Sequence, residues 1–395
     1  MRDRGLGCLL VTTMFAAVLF AVALPAAATP AVPTGPAGDA FYVPPDPLPK
    51  AKPGTLIWAQ PITAPAGASG WRVLYHSRSV AGHDVAVSGV VFAPQGPAPK
   101  VGRPVVSWAH GGAGVADACA PSRQFADIPS VLAPFVDELV AQGAVVAATD
   151  YEGLGTPGVA PFLVGESEGR SVLDAARAAR RLPGTGAGKR VVVAGQSEGG
   201  HGALFAGELA KSYAPELQLL GVEAGAPAAD LGVIVPVALR IPPVAGYGVM
   251  ALVGFNAAYP KADPAAVLTP DAASRTAIVD TGCTRDVLSA YAAAPQPVAA
   301  HDPTTVEPWA TLLRKNSAGN RPAGAPVLVI QGDADRTIPK ALTDLFTTKA
   351  CAAGDTLDYR VYPGADHNGS LGAAKADILA WIAARVADDP PSTTC

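Results

Sequence analysis

The chain has 395 residues, 49% hydrophobic and 16% charged, with a formal net charge of −4. That composition supplies ample core for one enlarged domain with an insertion and excludes a predominantly disordered protein. There is no basic block and no interleaving of basic with aromatic residues, so nucleic acid is not an expected partner.

The chain opens as an export signal. "MRDRG" carries two arginines, "CLLVTTMFAAVLFAVAL" is apolar, and "PAAATPA" supplies small residues. This is the layout of a secretory signal peptide over residues 1–28, cleaved near Ala28. A secreted or envelope-associated protein is expected, with no stable membrane span after cleavage. Cys119, Cys283, Cys351 and Cys395 then remain, an even count that reads as two disulfides in three possible connectivities. No clustered His/Cys spacing points to a metal, and no cofactor is implied.

Residues 29–53 are rich in Pro, Ala and Gly and read as an extended, non-helical lead-in. A core begins at 54. "WRVLYHSRSV", "HDVAVSGVVFAP" and "RPVVSWAH" read as strands, with a turn at Ala81 and Gly82. "PFVDELVAQG" is a helix and "AVVAATD" a buried strand. "GRSVLDAARAARRLPG" is a helix, "RVVVAG" a strand, and "GGHGALFAGELAKSYAP" a helix. This alternation predicts a mostly parallel sheet with helices on both faces. After 225 the pattern breaks. "LGVIVPVALRIPPVAGYGVMALVGFNAAYP" is apolar but interrupted by Arg240 and by Pro236, Pro242 and Pro243, which argues against a membrane span. Residues 226–320 are expected to form a mainly helical cap over an apolar site. The core resumes over 321–395 with "APVLVIQGDAD", "KALTDLFTTKACAAG", "LDYRVYPGADH" and "SLGAAKADILAWIAARVA" as strand, helix, strand and helix.

Two pentapeptides fit G-x-S-x-G, the turn that presents a nucleophilic serine: "GESEG" at 165–169 and "GQSEG" at 195–199. The motif requires a buried strand entering and a close-packed helix leaving. Ser197 has both, "VVVAG" before it and "GGHGALFAG" after it. Ser167 precedes a helix bearing Arg170, Asp174 and Arg177, read as a solvated face, and is assigned to capping that helix. A serine hydroxyl needs a histidine to take its proton and a carboxylate to orient that histidine. His367 lies in the loop after the last expected strand, whereas His301, beside Asp302, reads as surface. Asp335 in "VLVIQGDADRTIP" is the chosen acid, and Asp333 is the alternative, better suited to the turn beside Gly332. For the oxyanion, one donor is the backbone N–H of Glu198. The second is either the glycine-rich "HGGAG", represented by Gly111, or Asp150 if its side chain is protonated.

The chain resembles the secretory lipase family of α/β-hydrolases. The resemblance rests on "FYVPP", "DACAPS", "VVAATDYEG", the second pentad with "GELAKSYAPELQLLGVEAGAP", "GDADRTIP", "YPGADH" and the terminal cysteine. "SYAPEL" is its most specific element. The resemblance implies an α/β-hydrolase fold with an inserted cap and a Ser-Asp-His triad at Ser197, Asp335 and His367. It also implies an oxyanion role for Asp150 and the bridges Cys119–Cys283 and Cys351–Cys395. One departure is Glu198, since a fungal member of the family has glycine after its nucleophile. The expected activity is hydrolysis of lipid-like carboxylic esters, with a lipid or ester substrate that can lie at a lipid–water interface. A serine peptidase on the same scaffold and a non-catalytic lipid-binding protein are the alternatives.

Overall fold

The computed structural model describes residues 1–2, 32–123 and 133–395. The signal-peptide reading, Cys8 included, therefore lies outside the described residues except for Met1 and Arg2. Contacts separate Met1–Ala31 from Val32–Cys395, and the fold described below is that of the second unit.

Nine strands form one sheet: β1 (Leu56–Ile62), β2 (Ala68–Arg78), β3 (Asp84–Pro94), β4 (Arg103–Ala109), β5 (Val145–Glu152), β6 (Ala187–Gln196), β7 (Gln218–Gly225), β8 (Val327–Gly332) and β9 (Leu357–Tyr362). Their order is β1-β2-β3-β5-β4-β6-β7-β8-β9. β1, β2 and β3 run antiparallel, and β3 meets β5 antiparallel. From β5 to β9 every pairing is parallel. The mostly parallel sheet is thus as expected. Two strands were not anticipated: β1, whose pattern is interrupted by Pro61, and β7, which hides in a segment read only as following a helix. The lead-in also departs from its extended reading. Gly38–Tyr42 forms a 3-10 turn that buries Phe41 and Tyr42.

The helices α1 (Ala133–Ala141), α2 (Gly165–Arg181) and α3 (Glu198–Tyr213) follow β4, β5 and β6. Then α4 (Leu231–Ala238), α5 (Ala245–Ala258), α6 (Pro270–Ser274), α7 (Thr284–Ala292) and α8 (Trp309–Lys315) lie between β7 and β8. Finally α9 (Lys340–Ala352) follows β8 and α10 (Gly369–Val386) follows β9. Alternate strand residues serve opposite faces. Val105, Val191 and Val193 pack with α2, α3 and α9, while Val106, Trp108 and Val192 pack with α1 and α10. A third apolar cluster joins α4–α8 to the loops around Leu154 and Phe162. Among the described residues no single helix is long and apolar enough to cross a membrane; α4 and the stretch Pro242–Ala258 are bent 116° from one another. The two disulfides are Cys119–Cys283 and Cys351–Cys395, each with S–S and Cα–Cα separations of an ordinary bridge.

The face of α2 that bears Asp174 and Arg177 is not solvated. Asp174 is fully buried, accepting from Arg177 Nη1 at 2.8 Å, Ser77 Oγ at 2.7 Å and the Tyr213 hydroxyl at 2.7 Å. Sequence periodicity reads charge as solvent exposure, and here a complete set of partners allows a carboxylate to be buried instead.

Candidate active site

In a parallel sheet the carboxyl ends of the strands open onto one edge, where loops converge. β4 ends there in His110–Gly114, β6 in Ser197, β8 in the loop to Asp335, and β9 in the loop to His367.

Ser197 sits between β6 and α3 with φ 60° and ψ −117°. A non-glycine residue at positive φ is strained and persists only where packing dictates it. The packing here is tight. A Cβ on Gly199 would lie 1.9 Å from the Ala109 carbonyl oxygen, and one on Gly195 would lie 2.4 Å from that of Gly199. The two glycines of this pentad therefore let the start of α3 press against the end of β4. The Ser197 N–H donates to the Gly225 carbonyl at 2.7 Å, which ties the turn to β7. The first N–H groups of α3, beginning with Glu198, have no helical acceptor and form the positive end of the helix dipole.

His367 Nδ1 lies 2.7 Å from Asp335 Oδ2. Asp335 is held in turn: Oδ1 accepts from the Thr337 and Ile338 N–H groups at 2.8 and 2.9 Å, and Oδ2 also accepts from Gln331 Nε2 at 3.1 Å. Asp333 instead accepts from the Gly364 N–H at 2.6 Å and stabilises the neighbouring turn. The His367 carbonyl accepts from Gln196 Nε2 at 2.6 Å. The residue before Ser197 thus anchors the histidine loop. His301 is exposed on the segment between β7 and β8.

Gly111 packs beside the serine: a Cβ on it would come within 3.6 Å of Ser197 Cβ. The loop is braced from both sides. His110 Nδ1 meets the Gly111 carbonyl at 2.7 Å, and the Tyr151 hydroxyl donates to the His110 carbonyl at 2.8 Å. Burial holds the His110 imidazole below its ordinary range, so it is neutral and donates through Nδ1. From the other side, Thr284 Oγ1 donates to the Gly112 carbonyl at 2.7 Å, the Thr284 N–H donates to the Ala113 carbonyl, and Cys283 bonds to Cys119.

A pocket partly open to solvent runs from Ser197 and Glu198 across Phe162, Ile234, Val237 and Leu342. α4, Tyr247 of α5 and the loop after Asp335 form about half of its wall.

Residues 131–394 match the secretory lipase family. The chain belongs to that family. It is 28% identical to lipase A of Moesziomyces aphidis over 205 residues, 48% of this chain and 43% of that protein. It is 26% identical over 215 residues to a Mycobacterium tuberculosis protein described as a probable inactive lipase, covering 51% of this chain and 47% of that protein. The chain spans about half the length of these relatives. Among solved structures, Candida antarctica lipase A in its closed state superposes with a TM-score of 0.73 at 19% identity, covering 87% of this chain and 84% of the other. The α/β-hydrolase architecture expected from the sequence is shared with it.

Within this secretory lipase framework, Asp150 does not take the place expected of it. Its Oδ1 accepts from the Ser122 N–H at 2.9 Å, and Oδ2 accepts from Ser88 Oγ at 2.6 Å and from Ser122 Oγ. It is buried, its carboxyl pushed above the usual range by burial, and it is not among the residues lining the pocket. Its position supports bracing of the Ser122 turn rather than donation to an oxyanion.

Ser167 is likewise not a cap. It lies inside α2, buried, with its hydroxyl donating to Glu152 Oε2 at 2.5 Å. The first pentad serves helix packing. Cβ atoms on Gly165 and Gly169 would meet the Phe205 ring at 2.3 Å and the Ala206 nitrogen at 2.9 Å, so the two glycines set the approach of α2 to α3.

Sequence reasoning missed a polar cluster behind Ser197. His201 Nδ1 is 2.6 Å from Glu168 Oε2, and its Nε2 is 2.8 Å from the Asn316 carbonyl. Burial opposes charge on His201, but Glu168 and the Asn316 carbonyl outweigh it and raise its pKa. Asn316 Oδ1 also accepts from the Gly165 N–H at 3.0 Å. Among the described residues no group of three or more His, Cys, Asp or Glu side chains is arranged to hold a metal ion.

Proposed function

We propose that the chain is an exported serine hydrolase of lipid-like carboxylic esters. Ser197 Oγ attacks the ester carbonyl. His367, held at Nδ1 by Asp335, takes the serine proton on Nε2 and returns it to the leaving alcohol. The negative oxygen of the tetrahedral intermediate is met by the Glu198 N–H and by N–H groups of the Gly111–Gly112 loop. Water, activated by the same histidine, then releases the acid from the acyl-enzyme. Residues 226–320 act as the cap that supplies the apolar wall of the pocket. The four paired cysteines support export into an oxidising compartment.

The observation that carries this reading is the Asp335–His367 hydrogen bond on a loop anchored by the residue preceding a positive-φ serine. The test is p-nitrophenol release from acetate, octanoate and palmitate esters by wild type, Ser197→Ala and Ser167→Ala. Wild type and Ser167→Ala are expected to turn over, with Ser167→Ala tolerated only if the fold survives loss of the Glu152 contact; Ser197→Ala is expected to be inactive. Palmitate and octanoate preferred over acetate would support a lipase. Saturable lipid binding without ester cleavage would replace this reading with a non-catalytic one, an outcome made pertinent by the relative described as a probable inactive lipase.

A further inference from the structure

Two polar groups in the wall of the Ser197 pocket have no hydrogen-bond partner among the described residues. Glu198 is 5% exposed, and its Oε2 is sealed from solvent with nothing to bond. Tyr247, on α5, lines the same pocket, and its hydroxyl makes no bond to the protein. Both line one pocket wall, and burial first, then Glu198, push the Tyr247 phenol up. The Tyr247 ring also overhangs the glycine loop, where a Cβ on Gly112 would lie 3.5 Å from its Cε1. The pair therefore sits beside the serine, in a wall otherwise made largely of carbon from Phe162, Leu163, Ile234 and Leu342.

Leaving a buried polar group such as the Glu198 carboxyl unpaired is unfavourable, and the half-buried Tyr247 hydroxyl faces the same pocket without a protein partner. Such groups in a pocket wall are matched when the ligand supplies the missing partner. The partner's chemistry follows from what stands behind Glu198. Burial, and then Glu168, raise the Glu198 carboxyl well above the ordinary range, which favours its neutral, protonated form. Glu168 is already paired with His201. A neutral acid and a phenol each offer one donor and one acceptor. A hydroxyl, itself donor and acceptor, complements both. An anion would face Glu168, and an alkyl group would leave both groups unpaired.

We propose that Glu198 and Tyr247 are specificity-determining residues that select esters carrying a free hydroxyl close to the scissile carbonyl, in the acyl or the alcohol part, over the corresponding plain alkyl esters. The proposal rests on the ester-hydrolase reading above and concerns the Glu198 side chain, not its backbone N–H.

The experiment measures kcat/KM with the full chain on two matched pairs: p-nitrophenyl 3-hydroxybutyrate against p-nitrophenyl butyrate, and monobutyrin against butyl butyrate. The proteins are wild type, Glu198→Leu, Glu198→Gln and Tyr247→Phe. Wild type is expected to favour the hydroxylated member of at least one pair by about tenfold or more, since a site built to bond a hydroxyl discriminates against its absence. Glu198→Leu should bring that ratio to about one, Tyr247→Phe should lower it severalfold, and Glu198→Gln should keep most of it. If Glu198→Leu does not fold, Tyr247→Phe, which removes one oxygen, carries the test. Equal ratios in wild type, Glu198→Leu and Tyr247→Phe, or no preference in wild type, overturn the proposal, because the two groups then bind only water. Failure of wild type to cleave any of the four esters would instead overturn the hydrolase reading, and this proposal with it.

Discussion

The side-chain amide of Gln196 donates to the backbone carbonyl of His367 at 2.6 Å. Gln196 ends β6 and precedes Ser197, while His367 stands on the loop after β9, 171 residues further along. One side chain thereby fixes the serine and the histidine loop in a common frame. Gln196→Ala should leave the strand in place but free that loop. The expected loss in kcat on p-nitrophenyl esters is about 10- to 100-fold, the scale of a misplacement near 1 Å. An effect on KM alone, with kcat kept, would show that Gln196 shapes the pocket and not the histidine.

Asp335 and Asp333 are two residues apart yet face different partners. Asp335 meets His367 Nδ1 at 2.7 Å, and Asp333 meets the Gly364 N–H. Asp335→Asn keeps the shape but replaces an acceptor with an amide that favours the wrong imidazole tautomer. The expected drop in kcat is about 10⁴-fold. Asp333→Asn preserves an oxygen for Gly364 and should stay within about threefold of wild type, as surface substitutions usually do. Steady-state kinetics on one ester, with circular dichroism to verify folding, separates the two.

Much of this site could be read from the sequence because its parts are local. A strand–turn–helix around Ser197, and loops after β8 and β9, are short-range patterns. Choosing Asp335 over Asp333 needed only depth in the loop. What escaped was set by distance. Asp150 stands near the end of β5, as a site residue would, but Ser88 and Ser122 claim its carboxylate, and neither contact is encoded near it. Asp174 and Arg177 read as solvated because Ser77 and Tyr213 approach only in the folded chain. Ser167 lies in a pentad that matches the motif, but no strand runs into it and the whole pentad lies inside α2. β7 was missed because its small residues, Gly221 and Gly225, carry no strand signal; a Cβ on Gly221 would lie 2.5 Å from the Trp381 ring.

The two disulfides stand at different distances from the site. Cys119–Cys283 closes a loop of 164 residues and joins the glycine-loop region to the start of α7, where Thr284 Oγ1 holds the Gly112 carbonyl. Cys351–Cys395 ties the chain end to α9. Each bridge is expected to contribute about 2–4 kcal/mol to stability. Removal of the first pair by Cys119→Ser with Cys283→Ser should also lower activity, whereas Cys351→Ser with Cys395→Ser should lower Tm alone. Thr284→Val tests the same contact without touching covalent structure, with an expected loss of about 1 kcal/mol for the missing hydrogen bond and a lower kcat. Activity equal in both cysteine pairs, measured at a temperature where each protein is folded, would remove the glycine loop from the account.

Near Ser197, Glu223 on β7 is fully buried; its Oε2 accepts from the Gly195 N–H at 3.2 Å, while Oε1 has no partner among the described residues. Burial pushes its carboxyl up to about 8. An acid whose folded pKa lies above its unfolded value holds its proton more firmly in the native state. Between the ordinary value of 4.5 and about 8 the native protein therefore binds more protons than the unfolded chain, and stability falls as pH rises through that window. Glu223→Gln cannot ionise and lacks this penalty. The amide brings its own cost, two donors without acceptors, so its absolute stability need not exceed that of wild type. What must change is the slope. The Tm of Glu223→Gln relative to wild type should rise steadily from about pH 5 to about pH 8, by a total on the order of a few kcal/mol in unfolding free energy. Parallel curves across that range would mean that water or a relaxed backbone reaches the carboxyl and that its burial is not what the static packing implies.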